Sequence, residues 1–214
     1  MQKNWASYPK ITRLQTGKKY VPVKEFPRPT VGKWHPNLIK YLDSRGVAHG
    51  LPELVYPINQ GLCYITTSQY GPAYTIRNVH EPDPQERYRN PPDIEMQHHI
   101  FQLGSPTGIK GLVIGESVID AVACYQLGYD AIALLGSKLP EERIETLRVW
   151  LNRYKKQVVF IPHNDQAGMT LLQEIVALRE RIGINCLPMN GRTKDLCDLP
   201  VKERGEFLKY AIGK

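Results

Sequence analysis

Acidic side chains recur just beyond apolar, strand-forming runs in the second half of the chain. Glu116 follows Leu-Val-Ile-Gly at 112–115, and Asp165 follows Val-Val-Phe-Ile-Pro at 158–162 within His163-Asn164-Asp165. Asp195 and Asp198 lie in the turn after Ile-Asn-Cys-Leu-Pro-Met at 184–189. Asp120 stands four residues after Glu116, on the same face of the helix expected there. Any one of these acids reads most simply as a loop residue or a helix cap. Gathered beyond the carboxyl ends of one parallel sheet, where such sheets bind ligands, they would repel one another unless a cation neutralised them. Hard oxygen donors with open positions suit Mg²⁺ or Mn²⁺ bridging to substrate phosphates. His163 adds an imidazole, which suits Mn²⁺ better than Mg²⁺. The expected metal set is Glu116, His163, Asp165, Asp195 and Asp198, converging on one site and supported by Asp120.

Strands alternating with helices are what must position such a site. After Leu-Val-Ile-Gly, a helix pattern over 117–127 ends at Gly128, and Ala-Ile-Ala-Leu-Leu-Gly at 131–136 is a second strand. A helix is expected over 139–155, with Ile144, Leu147, Leu151 and Tyr154 on one side. The strand at 158–162, a helix over 167–181, the strand at 184–189 and a last helix over about 200–212 complete the set. This order implies an α/β fold, with a parallel sheet covered by helices on both faces.

The first half has a different character. Prolines at 9, 22, 27 and 29 forbid a continuous helix in residues 1–34, which read as an extended basic arm. Residues 36–46 read as a helix opened by Pro36 and stopped by Gly46. Runs at 54–58, 61–67 and 72–79 suggest a small antiparallel sheet, and 80–95 a proline-rich loop. The expected division is a basic arm at 1–34, a small α+β basic subdomain at 35–108, and the α/β domain at 109–214.

Charge follows the same division. Residues 1–45 hold ten Lys or Arg against two acids, so the net +7 of the whole chain is concentrated there. Such an asymmetry fits a phosphate-backbone partner. Tyr8, Tyr20, Trp34 and Tyr88, close to basic groups, have the chemistry to stack on bases. No apolar run reaches the roughly 20 residues of a membrane span, and the first ten residues hold no apolar signal segment. A cytoplasmic location without membrane association is the expectation. Cys63, Cys124, Cys186 and Cys197 are not spaced as zinc ligands.

Two stretches carry a family resemblance. Leu112-Val-Ile-Gly-Glu-Ser-Val-Ile-Asp120, Leu135-Gly136-Ser137 and His163-Asn-Asp-Gln-Ala-Gly168 resemble the TOPRIM motifs of DnaG-type primases. Those motifs are a strand, Glu-Gly-x-x-Asp, a Leu-Gly-Thr-like turn and Asp-x-Asp-x-Ala-Gly. Lys194-Asp-Leu-Cys-Asp198 resembles the family's last acidic segment. Upstream, Tyr41-Leu-Asp-Ser-Arg-Gly46, Tyr56-Pro-Ile58, Arg77, Arg87-Tyr-Arg-Asn-Pro-Pro92 and Ile100-Phe-Gln-Leu103 resemble the primase half that precedes TOPRIM. The chain departs from the pattern at Ser117, in place of Gly, and at His163, in place of the first Asp of Asp-x-Asp. Neither a zinc ribbon nor a P-loop is present in the sequence.

The resemblance implies a phage- or plasmid-like primase core that makes short RNA primers by metal-dependent nucleotidyl transfer during DNA replication. Glu116, Asp165 and Asp120 would be its catalytic group, with Mg²⁺ or Mn²⁺ as cofactor. Arg45, Arg77, Arg87, Arg89 and Asn90 would face single-stranded DNA template and nucleoside triphosphates. A replicative helicase or a separate zinc-binding protein would be the partner. Two other readings share the motifs: a catalytically weak, single-stranded-DNA-binding or replication accessory protein, favoured by His163, and a TOPRIM nuclease, disfavoured by the upstream half.

Overall fold

The computed structural model describes residues 29–59, 61–68, 70–81, 83, 87–91, 94–104, 111–136, 138–152, 154, 158–182, 185–186 and 193–212. Most of the basic arm, with Tyr8 and Tyr20, lies outside the described residues.

The first helix, α1 (Pro36–Ser44), begins at the proline expected to open it. His35 is its N-cap, accepting the Asn37 N–H through Nδ1. Four strands follow: β1 (Val55–Ile58), β2 (Gly61–Ser68), β3 (Gly71–Asn78) and β4 (Tyr88–Arg89). They form an antiparallel sheet in that order, with Ile76 opposite Arg89. The expected loop at 80–95 therefore contains a short strand. Two residues are too few to show any alternation of side chains, so pairing with β3, not local pattern, defines it.

The second sheet is built from β5 (Phe101–Leu103), β6 (Leu112–Gly115), β7 (Asp130–Ala133), β8 (Val158–Phe160) and β9 (Asn185–Cys186), in the order β5-β7-β6-β8-β9. Four of these strands are parallel; β5 is an antiparallel edge on β7. The parallel α/β sheet expected from the sequence is present, with one added strand from the upstream side. The two sheets meet where Thr67 and Ile100 exchange both backbone hydrogen bonds, at 2.9 and 2.8 Å.

Helices α2 (Val118–Gln126), α3 (Glu141–Leu151), α4 (Gln166–Ile182) and α5 (Val201–Ile212) flank this sheet. The pleat sends alternate residues to opposite faces. Leu112, Ile114, Ile132 and Phe160 pack with Ile144, Leu147 and Trp150 of α3 and Leu171 and Ile175 of α4. Val113, Ala131, Val159 and Ile161 pack with Val118 and Val122 of α2, Leu208 of α5, and Leu38 and Leu42 of α1. The upstream helix thus shares a core with the α/β sheet. Helix α3 is shorter than the expected 139–155: Pro140 occupies its N-cap, and Asn152 caps its end. No helix among the described residues is long and apolar enough to cross a membrane.

Candidate functional site

The carboxyl end of β6 delivers Glu116 and then turns directly into α2. Ser117 makes the turn by capping that helix: its Oγ accepts the Asp120 N–H at 3.3 Å and donates to Asp120 Oδ2 at 2.6 Å. A serine at the family's glycine position is therefore an N-cap, worth about 1 kcal/mol to the helix. Leu135, just past β7, adopts φ 60° and donates its N–H to the Glu116 carbonyl at 3.1 Å. A left-handed leucine beside a strand-end acid is backbone strain held at the site.

Asp120 is buried, with a relative exposure of 4%. Besides Ser117, it accepts the Cys197 N–H on Oδ1 at 3.2 Å and His163 Nε2 on Oδ2 at 2.8 Å. Burial alone would raise its carboxyl; the bond and charge of His163, with those from Ser117 and Cys197, outweigh burial and hold it below the usual value. The imidazole responds in the opposite sense. Burial would lower it, but Asp120, then Glu116 and Asp195, raise it to about 9. His163 is thus a cation at neutral pH, placed among the acids.

Glu116 is also largely buried. Its Oε1 accepts the His163 backbone N–H at 2.6 Å, and its Oε2 lies 3.9 Å from His163 Nδ1. Burial pushes its carboxyl up, the His163 contacts oppose that, and the nearby Asp165 charge adds to it. Asp165 sits before α4, where Oδ1 accepts the Gly168 N–H at 3.0 Å and Oδ2 meets Lys194 Nζ at 3.2 Å. The Gly168 N–H bond, then Lys194, keep the Asp165 carboxyl low despite partial burial. Gly168 separates the two acids. A Cβ there would strike the His163 carbonyl oxygen and come within 2.6 Å of Glu116 Oε1. Only glycine leaves this space to the carboxylates.

Asp195 and Asp198 form a capping box around the 3₁₀ turn Leu196–Asp198. Asp195 Oδ1 accepts the Asp198 N–H at 3.0 Å, and Asp198 Oδ2 accepts the Asp195 N–H at 3.3 Å. Their remaining oxygens face Arg45, at 2.9 Å to Asp195 Oδ2 and 3.3 Å to Asp198 Oδ1. Burial and the Asp120 charge raise the Asp195 carboxyl, and Arg45 opposes them.

The expected ligands therefore fall into two neighbourhoods linked by His163: Glu116 with Asp165 around Gly168, and Asp195 with Asp198 around Arg45. Among the described residues, no three His, Cys, Asp or Glu side chains are arranged to share one metal ion. The pair Glu116–Asp165 still fits a hard cation. Mg²⁺ is commonly held by one or two carboxylates and completes its shell with water and substrate phosphates, and the missing side chain at Gly168 keeps a Cβ off Glu116 Oε1.

Of the basic residues, Arg77 is sandwiched between the Tyr41 ring at 4.9 Å and the Tyr88 ring at 5.1 Å, and it donates to the Tyr88 hydroxyl. The charge of Arg45 also acts on Tyr41, opposing the burial that pushes its hydroxyl up to about 12. Arg89 and Asn90 are exposed at β4, and Arg87 is half-buried beside them. Sequence reasoning missed three partners: Lys194, the capping role of Ser117, and Arg204. The Ser-x-x-Asp spacing at 117–120 was a readable cap signature; nothing local marks Arg204.

Residues 113–199 match the Toprim-like family. Among solved structures, the crystal structure of the Aquifex aeolicus primase, comprising zinc-binding and RNA polymerase domains, superposes with a TM-score of 0.59 at 16% identity. The likeness covers 84% of this chain and 56% of that one, so the chain spans little more than half of the primase it matches. A search of curated proteins gives no match. The family model spans Glu116, Asp120, Asp165, Asp195 and Asp198, and it places a Toprim-like domain, residues 113–199, within a chain that has the fold of a DnaG-type primase core.

Proposed function

We propose that the chain is a DnaG-like primase core that synthesises short RNA primers on single-stranded DNA by nucleotidyl transfer. The observation that supports the reading is the placement of Glu116 and Asp165 beyond the carboxyl ends of β6 and β8, where Gly168 donates to Asp165 and lies against Glu116. Glu116 and Asp165 would hold Mg²⁺ or Mn²⁺, which supplies positive charge to a triphosphate and its leaving pyrophosphate. Asp120 fixes His163, and His163 in turn fixes Glu116 through its backbone N–H. Arg89, Asn90 and Arg87 would contact template phosphates, and Tyr88, held by Arg77, would stack on a base. A replicative helicase or a separate zinc-binding protein would be its partner, in the cytoplasm of the cell that replicates the DNA.

A second reading has its own support. With His163 already a cation beside Asp120 and Glu116, part of the charge a metal would neutralise is neutralised from within. That favours an accessory protein that grips single-stranded DNA without polymerising. A primer-synthesis assay on a single-stranded template, comparing Mg²⁺ with Mn²⁺, separates the two. Labelled RNA products lost in Glu116→Ala support the primase; DNA binding without products under either metal supports the accessory protein.

A further inference from the structure

We propose that Arg45 is an internal counter-cation that closes Asp195 and Asp198 in the resting protein and gives way when a divalent cation enters. The inference rests on the metal-dependent reading above.

Arg45 meets both acids through one atom. A single nitrogen, Arg45 Nη1, lies 3.2 Å from Asp195 Oδ1, 2.9 Å from Asp195 Oδ2 and 3.3 Å from Asp198 Oδ1. Three carboxylate oxygens from two residues converge on one donor atom. An arginine that reads a carboxylate by shape uses two nitrogens in parallel bonds; here it acts as a point charge. The other carboxylate contacts are internal to the turn. Asp198 Oδ2 accepts the Lys194 and Asp195 N–H groups, which leaves Asp198 Oδ1 and Asp195 Oδ2 turned toward the guanidinium.

Both sides of this contact are anchored by one buried residue. Arg204 of α5 is 1% exposed and donates to five backbone carbonyls. Nη1 and Nη2 reach Gly46 and Arg45 at the end of α1, at 3.3 and 2.9 Å. Nε and Nη2 reach Leu196, Cys197 and Leu199 of the acidic turn, each at 3.1 Å. The α1 end and the acidic turn are therefore fixed relative to each other by Arg204, whatever the Arg45 side chain does. The Arg45 side chain is 28% exposed and Asp198 39%, so solvent and an entering ion reach the pair. The departing guanidinium would remain near Tyr41, whose charge acts on it, where the phosphates of a nucleotide would meet it.

The consequence is opposite to that of an ordinary ligand-supporting residue. Removing Arg45 should tighten cation binding, because a competing charge is lost. The test is Mn²⁺ affinity of the full chain, without nucleotide, by electron paramagnetic resonance at low salt. Arg45→Gln should bind Mn²⁺ about tenfold more tightly than wild type, on the scale of one charge removed at a few ångströms. The gain should shrink at high salt. Arg45→Lys, which keeps the charge on a different stem, should lie between, and it serves if the glutamine variant does not fold. Adding Asp198→Asn to Arg45→Gln should cancel the gain. Equal or weaker binding by Arg45→Gln would overturn the proposal. If wild-type binding is then still lost in Glu116→Ala, the metal-dependent reading stands without the latch. If no variant binds Mn²⁺ at all, both fall together.

Discussion

His163 Nε2 lies 2.8 Å from Asp120 Oδ2, so His163 is ion-paired to the acid four residues after Glu116. The histidine therefore changes what the site holds in its empty state. A histidine cation, not a third carboxylate, stands between Glu116 and Asp120.

Removing that cation leaves a buried carboxylate without its charge partner, a loss typically about 3 kcal/mol or more. His163→Asn should be destabilised by about that amount in urea unfolding at neutral pH. His163→Asp should be at least as unstable in a chelator, since it adds a second acid beside Asp120. Addition of Mg²⁺ should restore part of its stability. A His163→Asn variant as stable as wild type would show that the pair contributes little.

Gly168 is the second sensitive point. A methyl group there collides with the His163 carbonyl and crowds Glu116 Oε1. Gly168→Ala should cost about 1–3 kcal/mol through overpacking, although alanine favours helices elsewhere. It should also lower primer synthesis more than Ala167→Gly does. Calorimetry together with the synthesis assay checks both; an alanine variant with wild-type stability would contradict the geometry.

Stability should fall in mild acid because of His99. Burial, then the His98 and Arg143 charges, lower its imidazole to about 3, between Thr66 Oγ1 and Ser68 Oγ at 3.2 Å each. The folded protein keeps His99 neutral while the unfolded chain protonates near pH 6.5. Its contribution is therefore present above about pH 6.5 and is lost toward pH 3, at roughly 1.4 kcal/mol per pH unit for this one group. Replacing His99 with Gln should flatten that part of the urea-midpoint profile. An unchanged slope would mean other groups set it.

Replacing the buried Arg204 should be costly. Arg204→Leu leaves five carbonyls short of a donor at the junction of α1, α5 and the acidic turn. Even with water reaching some of them, a loss of about 3 kcal/mol is expected from unmet polar groups. A thermal melt decides it, and a shift within error of wild type would contradict the bond pattern.

The alternation of strands and helices was legible from 112 onward because buried parallel strands read as apolar runs. β4 and β5 were not, since two or three residues carry no period and their partners are distant. The strand-end positions of the acids were legible; the cations they pair with were not. Arg45 meets Asp195 across 150 positions, and no local pattern encodes that contact. Arg204 sits in Val-Lys-Glu-Arg-Gly-Glu, which reads as a solvated helix face. The two acids at 195 and 198 looked like free ligands, whereas their spacing is also that of a capping box, and the structure uses it as one.

The central claim is that Glu116 and Asp165 form the working end of a primer-synthesising site. The most direct measurement is incorporation of labelled nucleoside triphosphates on a single-stranded DNA template, with Mg²⁺ or Mn²⁺, by wild type and Glu116→Ala. The account predicts short RNA products that are stronger with Mn²⁺ than with Mg²⁺ and absent in Glu116→Ala under either ion. DNA binding with no products from wild type under either ion, or products that persist in Glu116→Ala, would contradict it.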